Sequence, residues 1–112
     1  MSEKNFFSGL EYLVLLTILK LRSKAYGVPI HEEICKQTNK NPAYGAIYKA
    51  IKGLSAKGFI SSSKGEATPE RGGRAKTYYM IEAEGMRALR EFESSAKRIK
   101  EFVVETLVPL HH

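Results

Sequence analysis

Residues 25–60 read AYGVPIHEEICKQTNKNPAYGAIYKAIKGLSAKGFI, and the fold turns on how this stretch is divided. Pro29 lies just after Val28, at a helix start that tolerates its missing N–H. Ile30 and Ile34 follow at helical spacing, and Glu32 and Glu33 lie in the first turns, where the helix dipole favours acid. That helix runs from about Val28 to about Thr38. Thr38-Asn39-Lys40-Asn41 reads as a turn. Asn41 is then placed as the N-cap of the next helix, with Pro42 at its first position. This second helix extends to about Lys57, and Gly58 supplies a left-handed stop. Ile47, Ile51 and Leu54 share one side of it, with Ala43 and Ala50 beside them. Gly45, Lys49, Lys52 and Ala56 share the opposite side, and Tyr48 sits at the border. Small and basic residues on an exposed helical face permit close approach to a phosphate backbone or a groove floor.

Upstream, residues 8–22 read as a helix in which Ser8 and Glu11 are spaced for a capping box. Leu10, Leu13, Val14, Thr17, Ile18 and Leu21 follow the helical period, but Tyr12, Leu15, Leu16 and Leu19 make the other sides apolar too. A helix apolar nearly all round is buried on more than one face. The second face is expected against another subunit. Downstream, residues 59–63 and 77–81 read as paired strands. Between them, Lys64–Lys76 holds three glycines and a proline, a long and flexible hairpin loop. Tyr78 and Tyr79 alternate on their strand, so one is expected in the core and the other outside. A last helix covers about Ala83 to Leu107, and Pro109 stops it. Its stripe of Leu89, Phe92, Ala96, Ile99, Val103, Thr106 and Leu110 steps by three and four, as in a coiled coil. That stripe outruns any core so small a domain can offer.

The chain has 112 residues, enough for one core and too few for two. Hydrophobic residues at 43% and charged residues at 27% place it among soluble globular proteins, not disordered ones. The N-terminus lacks the pattern of a signal peptide, and the longest apolar run, Leu13–Leu19, is too short to span a bilayer. A cytoplasmic protein is expected. With one cysteine, Cys35, neither an intrachain disulfide nor a cysteine-based zinc site can form. A small, semi-buried helix residue is its plain reading, a redox-sensing thiol the other. From Lys36 to Lys76, nine basic residues face only Glu66 and Glu70, a net of +7. The rest of the chain carries −1 of the total +6. A charge this localised suits a polyanion, although a solvated basic surface would look the same by charge alone.

The order helix, helix, turn, helix, strand, basic loop, strand, helix is mainly α with a small β-hairpin. It describes a winged helix-turn-helix over residues 8–82, with an added C-terminal dimerisation helix over residues 83–108. Asn41, Tyr44, Tyr48, Lys49 and Lys52 on the third helix are the expected DNA contacts. Lysine reaches phosphates or guanine edges, and asparagine can pair with adenine. In the wing, Arg71 and Arg74 flank Gly72-Gly73, and Lys76 follows; arginine suits narrow minor grooves and phosphates. Tyr48 has an equal claim to the edge of the core, and Lys57 and Lys64 read as surface charge. Leu15, Leu19, Leu89, Phe92, Ala96, Ile99 and Val103 are the expected dimerisation residues.

Several stretches resemble the PadR family of bacterial transcription regulators. They are Ala25-Tyr26-Gly27-Val28-Pro29-Ile30, Gly45-Ala46-Ile47-Tyr48, Leu54-Ser55-Ala56-Lys57-Gly58-Phe59-Ile60, Pro69 through Tyr79, and Glu84-Gly85. The resemblance covers about residues 9–90 and lies in the order and spacing of these pieces, not in any one of them. It implies a dimeric, usually repressing regulator of a roughly palindromic operator, with the terminal helices building the dimer. Tyr48 and its neighbours match the family's DNA-contacting helix, and Arg71, Arg74 and Lys76 match its wing. Many relatives carry several C-terminal helices where this chain has one, so it is similar to the short-tailed subgroup.

The alternative is a winged-helix module that binds protein instead of DNA, since fold does not fix function. Nothing supports an enzyme: the chain has no aspartate, and His31, its one non-terminal histidine, reads as structural or solvent-exposed. No cofactor and no metal are expected. The expected partners are double-stranded DNA, a second copy of the chain, and a small aromatic effector whose existence the sequence leaves open. Phe6, Phe7, Tyr12, Phe92 and Phe102 would line its site, although spare aromatics at helical spacing more often form dimer core.

Overall fold

The computed structural model describes residues 7–65 and 75–108. The expected capping box starts the first helix, α1 (Gly9–Leu21). The Glu11 amide donates to Ser8 Oγ and the Ser8 amide donates to Glu11 Oε1, both at 3.0 Å. A short 3₁₀ turn, Arg22–Lys24, leads to α2 (Gly27–Thr38). Asn39 ends α2 in the left-handed conformation, which asparagine tolerates better than most residues, and its amide returns to the Cys35 carbonyl.

The third helix, α3, spans Tyr44–Ala56. Its start departs from expectation. Ala43 is the N-cap, no side chain caps the helix, and Asn41 and Pro42 both belong to the turn. Helical hydrogen bonding begins at the Ala43 carbonyl, which accepts from the Ala46 and Ile47 amides, and Asn41 Oδ1 accepts instead from the Cys35 thiol. The other end forms as expected. Gly58 has φ +76°, the Gly58 amide donates to the Ser55 carbonyl, and the Phe59 amide donates to the Leu54 carbonyl. This paired closure turns the chain sharply into the wing.

The wing consists of β1 (Ile60–Lys64) and β2 (Thr77–Ile81), antiparallel, with Ile60 opposite Ile81 and Lys64 opposite Thr77. Its base is tied to the helices. The Tyr79 amide donates to the Ala25 carbonyl at 2.8 Å, and Tyr26 pairs with Tyr78 in an isolated bridge. The last helix, α4 (Ala83–Leu107), buries only Gly85, Ala88 and Leu89. Its 25 residues make a rod of about 37 Å.

The core lies where α1, α2, α3 and the wing base meet: Val14, Leu15 and Ile18 from α1, Ile30 and Ile34 from α2, Ile47, Ile51 and Leu54 from α3, then Phe59. Burying these side chains is the main force that assembles the four elements. The structure is mostly helical with one two-stranded sheet, a winged helix-turn-helix extended by α4.

Candidate nucleic-acid interface

The two faces of α3 are divided as its sequence pattern demands. Ile47, Ala50, Ile51 and Leu54 point into the core. Tyr44, Gly45, Ala46, Tyr48, Lys49 and Lys52 face outward, with Tyr44 at 45% and Tyr48 at 47% exposure.

Tyr48 also touches α2. Its hydroxyl occupies the space beside Gly27, where a Cβ would lie 2.6 Å from it. A larger residue at Gly27 would push the Tyr48 hydroxyl aside. Across the same gap, Lys76 spans from the wing. Its Nζ sits 4.3 Å above the Tyr26 ring and donates to the Tyr26 hydroxyl at 3.3 Å. Tyr26, Tyr48, Lys76 and Tyr79 thus line a small polar pocket of about 170 Å³ between α2, α3 and the wing. Burial holds the Tyr79 hydroxyl above the usual tyrosine pKa, with the neighbouring Tyr48 adding to the effect. Tyr79 packs on the core, and Tyr78 meets Tyr26 edge-on with ring centroids 5.4 Å apart. Both tyrosines are half-buried, so the expected split between core and solvent is replaced by two packed rings. The reason is the Tyr26 bridge, which covers the side of the strand that a free hairpin would expose.

The expected contacts do not all converge. Tyr44, Tyr48, Lys49 and Lys52 share the outer side of α3, with Lys76 beside Tyr48 at the wing base. Asn41 is exposed in the turn, where the Cys35 thiol donates to its Oδ1 at 3.6 Å. Arg71 and Arg74 lie outside the described residues. Lys57 is not surface charge. Its ammonium donates to Glu11 Oε1 at 2.8 Å and lies 5.9 Å from the centre of the Phe7 ring, which takes it away from the outer face of α3. Sequence reasoning passed over Tyr26, whose only signal was its place in the Ala25-Tyr26-Gly27 run. It read His31 as structural or solvent-exposed.

Comparison with known proteins settles the family. Residues 15–91 match the profile of the transcriptional regulator PadR-like family. The chain belongs to that family. Solved structures agree on the fold. A PadR family transcription regulator from hypervirulent Clostridium difficile matches with a TM-score of 0.71 at 22% identity, over 89% of this chain and 99% of that one. A PadR-like transcription factor from Bacteroides fragilis matches with a TM-score of 0.70 at 26% identity, over 87% and 88%. A PadR family regulator from Eggerthella lenta matches with a TM-score of 0.69 at 25% identity, over 85% and 80%. A search of curated protein sequences finds no match.

Within this PadR-like chain, the expected dimerisation residues divide into three groups. Leu15 and Leu89 are buried in the chain's own core. α2, α3, β2 and α4 all pack on α1, and Leu16 stays exposed at 37%. Leu19, Phe92 and Ala96 are half-buried. Ile99 and Val103 are exposed, Ile99 at 61%, alongside Phe102 at 65%. Of the aromatic residues expected around an effector, Phe7, Tyr12 and Phe92 pack on one another, while Phe102 is exposed on α4. Phe7 lies 5.5 Å from Phe59 and 5.4 Å from Phe92, and Tyr12 lies 4.4 Å from Phe92. Phe6 lies outside the described residues. Among the described residues, no His, Cys, Asp and Glu group could hold a metal ion, and no helix is long and apolar enough to cross a membrane.

Proposed function

We propose that this PadR-like regulator binds double-stranded DNA sequence-specifically as a homodimer and represses transcription from a roughly palindromic operator. In this reading residues 8–82 form the DNA-binding unit, α3 enters the major groove and the wing follows the backbone. Residues 83–108 join the two copies. The protein acts in the cytoplasm and is not an enzyme.

The observation that carries the reading is the outer face of α3. Lys49 and Lys52 stand there beside the half-exposed Tyr44 and Tyr48, small residues separate them, and Lys76 extends the cationic surface to the wing base. Recognition helices need this combination of close approach, hydrogen-bonding side chains and positive charge. The homodimer is supported by the distal half of α4 and its cap, where Ile99, Phe102, Val103, Val104, Leu107 and, just past the helix, Val108 are exposed. Contiguous apolar surface of this kind marks an interaction site in a soluble protein. Two such sites related by a two-fold axis would read a palindrome.

The test is fluorescence anisotropy with the DNA upstream of the protein's own coding sequence, at several salt concentrations, against a scrambled fragment. Tight, salt-sensitive binding that prefers the native fragment is expected. Weak and equal binding to both would defeat the proposal.

A further inference from the structure

The first turn of α3 has no side-chain cap of its own; the group that meets it is His31, on α2. Its Nε2 donates to the Pro42 carbonyl at 2.9 Å. Its ring lies over the Tyr44 ring, with centroids 4.1 Å apart and planes inclined by 14°. A carbonyl only accepts, so the hydrogen-bond network assigns the proton to Nε2. The Cys35 thiol closes the cluster, 3.7 Å from the imidazole and 3.6 Å from Asn41 Oδ1. One imidazole thus grips the turn at Pro42 and the first residue of α3 at Tyr44.

We infer that His31 is the positioning residue for α3: it sets how the helix start presents Tyr44 and Tyr48, and so governs discrimination between DNA sequences. The inference rests on the DNA-binding reading above. Base edges are read by short, directional contacts from the N-terminal part of a recognition helix, and these fail when the helix start wanders. Phosphate contacts from long lysine side chains tolerate such movement and carry no sequence information. Lys49 and Lys52 lie farther along α3, beyond the grip of His31. Loosening the helix start therefore removes sequence preference and spares general affinity.

The experiment measures the affinity of the full chain for its own upstream DNA and for a scrambled fragment, at one salt concentration and then across a salt series. In His31→Ala the preference for the native fragment falls about 5- to 10-fold, in line with the loss of about one base contact. Affinity for the scrambled fragment stays within about twofold, and the salt slope is unchanged because the lysines remain. His31→Phe keeps a ring over Tyr44 but has no donor for Pro42, and it loses an intermediate share of the preference. If His31→Ala does not melt cooperatively, His31→Phe carries the test. Full native preference in the folded variant overturns the proposal. So does an equal loss on both DNAs, which would mark a merely structural role. A wild-type chain that prefers neither fragment would instead overturn the DNA-binding reading, and this inference with it.

Discussion

Lys49 and Lys57 are neighbours in the basic stretch of the chain with different fates. Lys49 stands on the outer face of α3, whereas Lys57 is drawn back to Glu11. Composition cannot tell them apart, because the difference lies in which residue of α1 happens to sit opposite. The Lys49→Ala, Lys52→Ala double variant is expected to bind every DNA sequence more weakly, with a salt dependence flattened by about two units of slope. Anisotropy across a salt series checks this, and unchanged affinity would remove α3 from the DNA surface. The Glu11–Lys57 pair makes a separate prediction about pH. Burial alone would raise the Glu11 pKa, but the hydrogen bond and charge of Lys57 and the Ser8 amide outweigh it and hold the carboxylate below its usual value. A carboxylate depressed on folding adds stability above its unfolded pKa and loses it as pH falls through its folded pKa. Stability should therefore decline below the ordinary glutamate range. Glu11→Gln retains a capping-box residue and removes the charge. It should cost about 1 kcal/mol at neutral pH and reduce the acid-side decline. Thermal melts of both proteins from neutral to acid pH decide it: identical profiles would leave the pair without a role in stability.

At the scale of elements, the interior of each helix was legible and the ends only partly so. The alternation of apolar and basic residues in α3 is local information, and it survives folding because each face meets one environment. The Ser8 and Glu11 capping box and the Gly58 stop were also legible, since each acts within a few residues of itself. The start of α3 was not. Asn41 has good capping chemistry but lies two residues before the observed cap, Ala43, and the imidazole that meets the turn, His31, comes from another helix. Gly58 yields the sharpest prediction at this scale. Gly58→Ala puts a Cβ at φ +76° and should destabilise the domain by about 1 kcal/mol. Denaturant unfolding measures it, and an unchanged midpoint would mean that the closure of α3 has relaxed into another form.

For the whole molecule, one core and one projecting rod have separable roles. Leu15 lies at the centre of the core and Ile99 on the rod. Leu15→Ala should cost about 2–5 kcal/mol of stability through the cavity it leaves. Ile99→Asp should leave each subunit folded and split the proposed dimer. Analytical ultracentrifugation with a parallel melt distinguishes the two outcomes. A variant that stays dimeric would place the interface elsewhere.

The order of elements, the division of faces on α3 and the localised basic charge were determined by the sequence alone. Each follows from periodicity, turn chemistry or composition, which act over short stretches of chain. Only the tertiary structure decided that Leu15 and Leu89 belong to this chain's own core, that Lys57 pairs with Glu11, and that Tyr26 and His31 join the surface around α3. These facts depend on which residues from distant parts of the chain come to face each other. That is set by how four helices and a hairpin pack around one core, and no local pattern encodes it.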